Sequence, residues 1–245
     1  MKIDLLEQRL AAQRAGRTTV LVTDLATGAQ QLLGDGIAAG DLVLGQEARA
    51  AVNRAVIEDR SQTVDLAQGR LFVEVWNPPL RLIVVGAVHI AQTLARMAVT
   101  TGYDVTIIDP RSAFASQERF PGVTLATDWP DEVLPGLRPD KRTAIVTLTH
   151  DPKIDDPALQ AALKSDAFYI GALGSRRTHA RRAERLAAAG FDAAQFARIH
   201  GPVGLDIGAL TPGEIAVSIL AEITTVLRHD RIKAKEGGPG EGRAA

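Results

Sequence analysis

The sequence contains no cysteine in its 245 residues. Disulfide frameworks, thiolate metal sites, persulfide chemistry and cysteine nucleophiles are excluded together, and the absence fits a reducing compartment. There is no excess of charge of either sign: 28 Lys and Arg stand against 29 Asp and Glu. A chain so balanced offers no basic field for general nucleic-acid binding. Long apolar runs are missing too, none approaching the roughly 18–20 residues that cross a bilayer, so no membrane partner is expected. The opening "MKIDLLEQRLAAQRAG" is interrupted by Asp4, Glu7, Gln8 and Arg9. It reads as an amphipathic helix rather than a signal peptide, and the expected location is cytoplasmic.

The length suffices for one large domain or two small ones. Residues 3–15 carry Leu5, Leu6 and Leu10 at helical spacing, and "TTVLVTDLATGAQQLL" reads as two strands around Thr27-Gly28. A helix through "GQEARAAVNRAVIED" follows, then a hairpin in "TVDLAQGRLFVEVW" turning at Gln68-Gly69. This predicts a small α+β domain over residues 1–78. Neither proline of "NPPL" can donate a ladder bond, which places the boundary there.

From Arg81 strands and helices alternate. Strands are predicted at 82–86, 104–108, 123–126, 143–148 and 167–171, and helices at 88–100, 112–119, 155–165, 176–189 and 212–228. Alternation of this kind specifies an α/β domain over 79–228, a Rossmann-like doubly wound parallel sheet, because each parallel crossover needs room for a helix. The glycine- and charge-rich end, 229–245, is expected to be disordered. No internal repeat is visible.

Ligands of such sheets bind beyond the carboxyl ends of the strands. Four predicted strand ends carry glycines or charges: Gly86-Ala87-Val88-His89, Asp109-Pro110-Arg111, Thr149-His150-Asp151 and Gly171-Ala172-Leu173-Gly174-Ser175-Arg176-Arg177. Their convergence defines the candidate site. In the first turn Gly86 keeps the tight-turn role of a dinucleotide fingerprint and Ala91 the helix-packing role. Val88, however, stands where a second glycine would admit a pyrophosphate. Asp109 occupies the ribose-binding position. Two readings stand, a nicotinamide dinucleotide site or a turn that only packs strand against helix.

In "GALGSRRTHARR" the glycines permit a tight path, Ser175 is a helix N-cap, and Arg176 and Arg177 add charge for an anion. Arg181, Arg182 and Arg185 are expected to face water. Thr211-Pro212-Gly213-Glu214 is a capping box with proline at the first helical position. Asp206, between Gly204 and Gly208 in an apolar loop, calls for amides, an arginine or a ligand as partner, and structural and functional roles stay open. His89 and His150-Asp151 lack a tight ligand spacing such as H-E-x-x-H, so no metal is assigned. No G-x-S-x-G elbow follows a strand, which excludes a serine hydrolase of that type.

The ordered blocks "GAVHIA", "IIDPR", "VTLTHDPKIDDPALQAAL", "YIGALGSRR" and "PVGLDIGALTPGEIAVSILAEI" resemble the carboxyl-terminal Rossmann domain of the XdhC/CoxI family, the xanthine dehydrogenase accessory proteins. The resemblance covers roughly residues 80–228. It implies a chaperone that binds the molybdenum cofactor (molybdopterin) and supports its maturation and insertion into a molybdenum hydroxylase such as xanthine dehydrogenase, rather than a catalyst. A cofactor sulfurase and a second copy of the chain, forming a homodimer, are the other implied partners. The phosphate of the pterin suits the loop bearing Arg176 and Arg177. The family turn usually reads G-A-G-H, from which Val88 departs, and residues 1–77 lack the Ser-Ser-Pro-Arg-Pro-Pro-Gly type of loop found in many relatives. That leaves the first domain a pairing or docking unit. The alternatives are an NAD(P)-dependent oxidoreductase on the same fold and an interaction protein with a vestigial pocket.

Overall fold

The computed structural model describes residues 2–67 and 69–229. Gln68 of the expected hairpin turn and all but one residue of the tail lie outside them. The chain divides into two compact units on either side of the Pro78–Pro79 pair.

The first unit runs α1 (Ile3–Arg14), β1 (Thr19–Asp24), β2 (Gln30–Gly34), β3 (Ile37–Gly40), α2 (Gln46–Glu58), β4 (Gln62–Leu66) and β5 (Gly69–Trp76). Its antiparallel sheet has the order β3-β2-β1-β5-β4. The central strand β1 is apolar on both faces because both are covered. Val20 and Val22 pack with Val52 and Ala55 of α2, while Leu21 packs with Leu5 of α1. The short β3 pairs at the sheet edge and went unforeseen, since "IAAG" carries no alternating pattern.

The second unit runs β6 (Leu80–Val85), α3 (His89–Thr100), β7 (Tyr103–Ile108), β8 (Thr124–Ala126), α4 (Pro130–Leu137), β9 (Thr143–Thr147), α5 (Pro152–Leu163), β10 (Tyr169–Ala172), α6 (Arg176–Ala188), α7 (Ala193–Phe196), β11 (Ile199–His200) and α8 (Pro212–Leu227). All pairs of its six-stranded sheet are parallel, in the order β11-β10-β9-β6-β7-β8. This is the doubly wound Rossmann order, and the winding reverses between β6 and β9. Leu82 and Val84 of β6 pack towards α3 and α8, whereas Ile83 and Val85 pack towards α4, α5 and α6. An uninterrupted apolar strand is the consequence of two covered faces.

Three sequence expectations need correction. Residues 112–119 form turns rather than a helix, closed by bonds such as Phe120 N–H to the Ser116 carbonyl. The helix after β9 starts at Pro152, three residues before the expected 155, because Asp151 caps it by accepting from Lys153 N–H at 3.0 Å. α4, α7 and β11 were not foreseen; α4 starts on Pro130 and holds Pro135 within its eight residues.

Candidate functional site

The carboxyl end of β6 meets that of β9 at the reversal. Gly86 adopts φ +112°, and a Cβ there would lie 2.6 Å from the Thr149 methyl carbon and 3.2 Å from its backbone nitrogen. Only glycine lets the two loops approach so closely. Ala87 N–H donates to Asp109 Oδ2 at 2.8 Å. Asp109, fully buried, also accepts from Arg111 N–H at 3.0 Å, Nε at 2.9 Å and Nη2 at 2.8 Å. Burial works to raise its carboxyl, but the bonds from Arg111 and Ala87 outweigh it and hold the group below the usual carboxylate range. Val88 precedes α3 without offering a side-chain cap, packs against the core, and leaves His89 exposed.

Across the reversal, His150 sits at φ +63° and is exposed, and Asp151 is spent on the α5 cap. One turn on, Asp155 is 2% exposed. Its Oδ1 accepts from the Thr149 hydroxyl at 2.7 Å, while Oδ2 has no hydrogen-bond partner among the described residues. Burial pushes this carboxyl up, and the Thr149 bonds offset only part of the effect.

After β10 the chain turns at Gly174, φ +139°, and Ser175 caps α6 by accepting from Thr178 N–H at 3.2 Å. Arg176 joins Leu173, Val203, Asp206 and Ile215 in lining a cavity of about 400 Å³. Arg177 is exposed and does not line it. Asp206 is exposed rather than enclosed, so the expected need for a partner falls away. A larger cavity of about 630 Å³ lies between α4 and α5. It opens near the amino ends of β9 and β10, away from the edge at which parallel sheets bind ligands.

The expected row of water-facing arginines is also corrected. Arg182 is 2% exposed and donates from Nη2 to the Leu173 carbonyl at 2.9 Å, tying down the loop that carries Arg176. Burial depresses its guanidinium, against the raising effect of Asp155 and Asp156. Arg185 pairs with both oxygens of Asp156. Of the three, Arg181 is exposed as expected.

A network unforeseen from sequence holds the far wall of the cavity. Glu222 of α8 accepts from Tyr169 Oη at 2.5 Å and Gly204 N–H at 2.7 Å, and its other oxygen lies 3.0 Å from His200 Nδ1. Tyr169 and His200 stack at 4.6 Å. Burial pushes the Tyr169 hydroxyl up, reinforced by Glu222. The signal available in the sequence was a glutamate on the stripe that also holds Ile215, Ile219 and Val226. Asp155 one turn before Leu159, and Arg182 one turn before Leu186, are similar signals.

Predicted site residues thus form two groups on one edge. Gly86, Val88, Asp109 and Arg111 gather with the Thr149–Asp151 loop, and Arg176 and Asp206 line the cavity, with Gly174 and Ser175 forming the turn and cap that lead into α6. Among the described residues no cluster of His, Asp and Glu could hold a metal ion, and no helix is long and apolar enough to cross a membrane.

Residues 82–223 match the family model described as the XdhC Rossmann domain. An Escherichia coli protein named molybdenum cofactor insertion chaperone PaoD is 35% identical over 154 residues, 63% of this chain and 42% of that protein. A Bacillus subtilis protein, named as a probable subunit of xanthine dehydrogenase, is 35% identical over 154 residues, 62% of this chain and 44% of that protein. The chain therefore spans less than half the length of these two relatives. A crystal structure described as a xanthine dehydrogenase from Bacillus halodurans superposes with a TM-score of 0.73 at 23% identity, covering 96% of this chain and 70% of that one, a likeness of fold.

Proposed function

This chain belongs to the XdhC Rossmann-domain family, and from that premise we propose that it is an accessory protein for a molybdenum hydroxylase of the xanthine dehydrogenase type. In this reading it binds the molybdenum cofactor and supports its maturation and insertion. The observation that carries the reading is the cavity beside the capped start of α6, where Arg176 stands on a glycine turn braced from beneath by Arg182. Its volume falls in the range of small-molecule sites. The donor set fits the group. A guanidinium and helix-start amides suit the phosphate of the pterin, and the Asp206 carboxylate and apolar Leu173, Val203 and Ile215 suit its N–H-rich planar ring. When bound, the cofactor supplies the molybdenum centre that the client enzyme uses. The chain's own residues bind, orient and shield it.

The names of the relatives from Escherichia coli and Bacillus subtilis support the same role. Reception of the cofactor from a sulfurase, a cytoplasmic setting and pairing into a homodimer belong to the proposal. Exposed Ile3, Val43 and Ile57 give the first unit apolar side chains to offer in pairing. The oxidoreductase alternative is disfavoured by Asp109, whose acceptor positions are taken, and by the Val88 side chain at the turn.

The test is purification after expression with molybdenum, with absorbance and phosphate analysis. A pterin is expected to copurify, and Arg176→Ala to weaken its retention by roughly ten- to a hundredfold, one charge-assisted contact of about 1.5–3 kcal/mol. Arg181→Ala, exposed on the same helix, is the control. Micromolar affinity for NAD or NADP with no pterin bound would overturn the proposal in favour of the oxidoreductase.

A further inference from the structure

Asp109 stands where a dinucleotide-binding chain keeps the carboxylate that accepts ribose hydroxyls, but here it has no acceptor to spare. Four donors, from Ala87 and Arg111, already fill its lone-pair directions at 2.8–3.0 Å. The pair works in the opposite sense: a fully buried acid fixes a guanidinium whose side chain is 39% exposed. Arg111 lies over the Phe114 ring at 4.8 Å, and its Nη1 donors find no acceptor among the described residues. We propose that Arg111, held by Asp109, is a phosphate-binding subsite at the carboxyl end of β7, beside the β6–β9 reversal and separate from the loop before α6.

A second polar group stands behind the same turn. Asp155 is nearly sealed from solvent, and among the described residues its Oδ2 has no hydrogen-bond partner while Oδ1 accepts from Thr149. Thr149 stands against Gly86, so Asp155 lies behind the turn that Asp109 grips through Ala87. Burial pushes its carboxyl up, against the lowering effect of the Thr149 bonds and of the Arg182 and His150 charges. A guanidinium edge seeks acceptor oxygens, and a phosphate ester or pyrophosphate group supplies several at once. β7 and β10 are three strand positions apart, about 14 Å at ~4.8 Å per strand. The two anion sites are therefore separable by experiment, and this subsite stands whatever ligand the α6 loop takes.

The test is titration of the 15N-labelled full chain with inorganic pyrophosphate. The Arg111 Nε–H and the amides of residues 87–90 are expected to shift, along with those of 174–176. Arg111→Ala should weaken the response at 87–90 about ten- to a hundredfold and leave 174–176 unchanged. Arg111→Lys keeps the charge without the two-pronged geometry and should weaken it several-fold, which keeps the test decisive if the alanine variant does not fold. Shifts confined to 174–176 in the parent, or parental affinity at 87–90 in both Arg111 variants, would each overturn the proposal.

Discussion

Replacing Glu222 by alanine should unfasten the wall of the cavity and lower the melting temperature sharply. The carboxylate gathers Tyr169 from β10, His200 from β11 and the Gly204 amide, with only 16% of its side chain exposed. Bonds to a charged group contribute about 1.5–3 kcal/mol each, and a buried donor left unpaired costs about 1–3 kcal/mol. The three share one anchor and do not add fully. A loss of about 3–5 kcal/mol is expected, a fall of roughly 6–20 °C for a chain of this size. Glu222→Gln should fall less, because its carbonyl still accepts. Burial works to raise the Glu222 carboxyl, but His200, Tyr169 and Gly204 outweigh it and hold the group below its ordinary 4.5. A depressed folded value means that this stability is present above about pH 4.5 and is lost as pH falls through the lower folded value. Differential scanning calorimetry from pH 3 to 8 should therefore show the gap between parent and Glu222→Gln widest near neutrality and closing in acid. A melting temperature for Glu222→Ala within 2 °C of the parent, or a gap independent of pH, would refute the reasoning.

Gly86→Ala should destabilise by about 2–6 kcal/mol, combining a left-handed backbone with a Cβ forced 2.6 Å from the Thr149 methyl. Urea unfolding reads this directly, and an unchanged midpoint would mean that the loops are not in contact. Thr211→Ala removes the α8 cap, in which Thr211 accepts from Glu214 N–H at 3.2 Å. The expected loss is about 1 kcal/mol, or roughly 2–4 °C, with the α6-loop affinity unaltered; a loss beyond 2 kcal/mol would show that the box does more than cap.

The amino-acid sequence by itself determined those features whose causes lie within a few residues. The Ser175 and Thr211 caps each join partners three residues apart. The buried strands follow from apolar runs such as "LIVV", and the parallel Rossmann sheet from strands and helices in alternation. Where local signals were weak the reading slipped. Residues 112–119 have neither cap nor apolar stripe and settle into turns, and the prolines of α4 concealed a real helix. Helical periodicity held a further message, that Asp155, Arg182 and Glu222 face inward. It could not say what each would meet. Tyr169 lies 53 residues from Glu222, and Ala87 22 residues from Asp109. Such partners are chosen by which strands lie side by side and which helix crosses them. That choice turned Asp109 from a ribose acceptor into the anchor of Arg111, and Arg182 from a solvated charge into the brace under Leu173. Local rules act over about one helical turn, whereas the pairing of buried polar groups is set by the packed sheet, since each must find its partner in whatever the fold brings within about 3 Å.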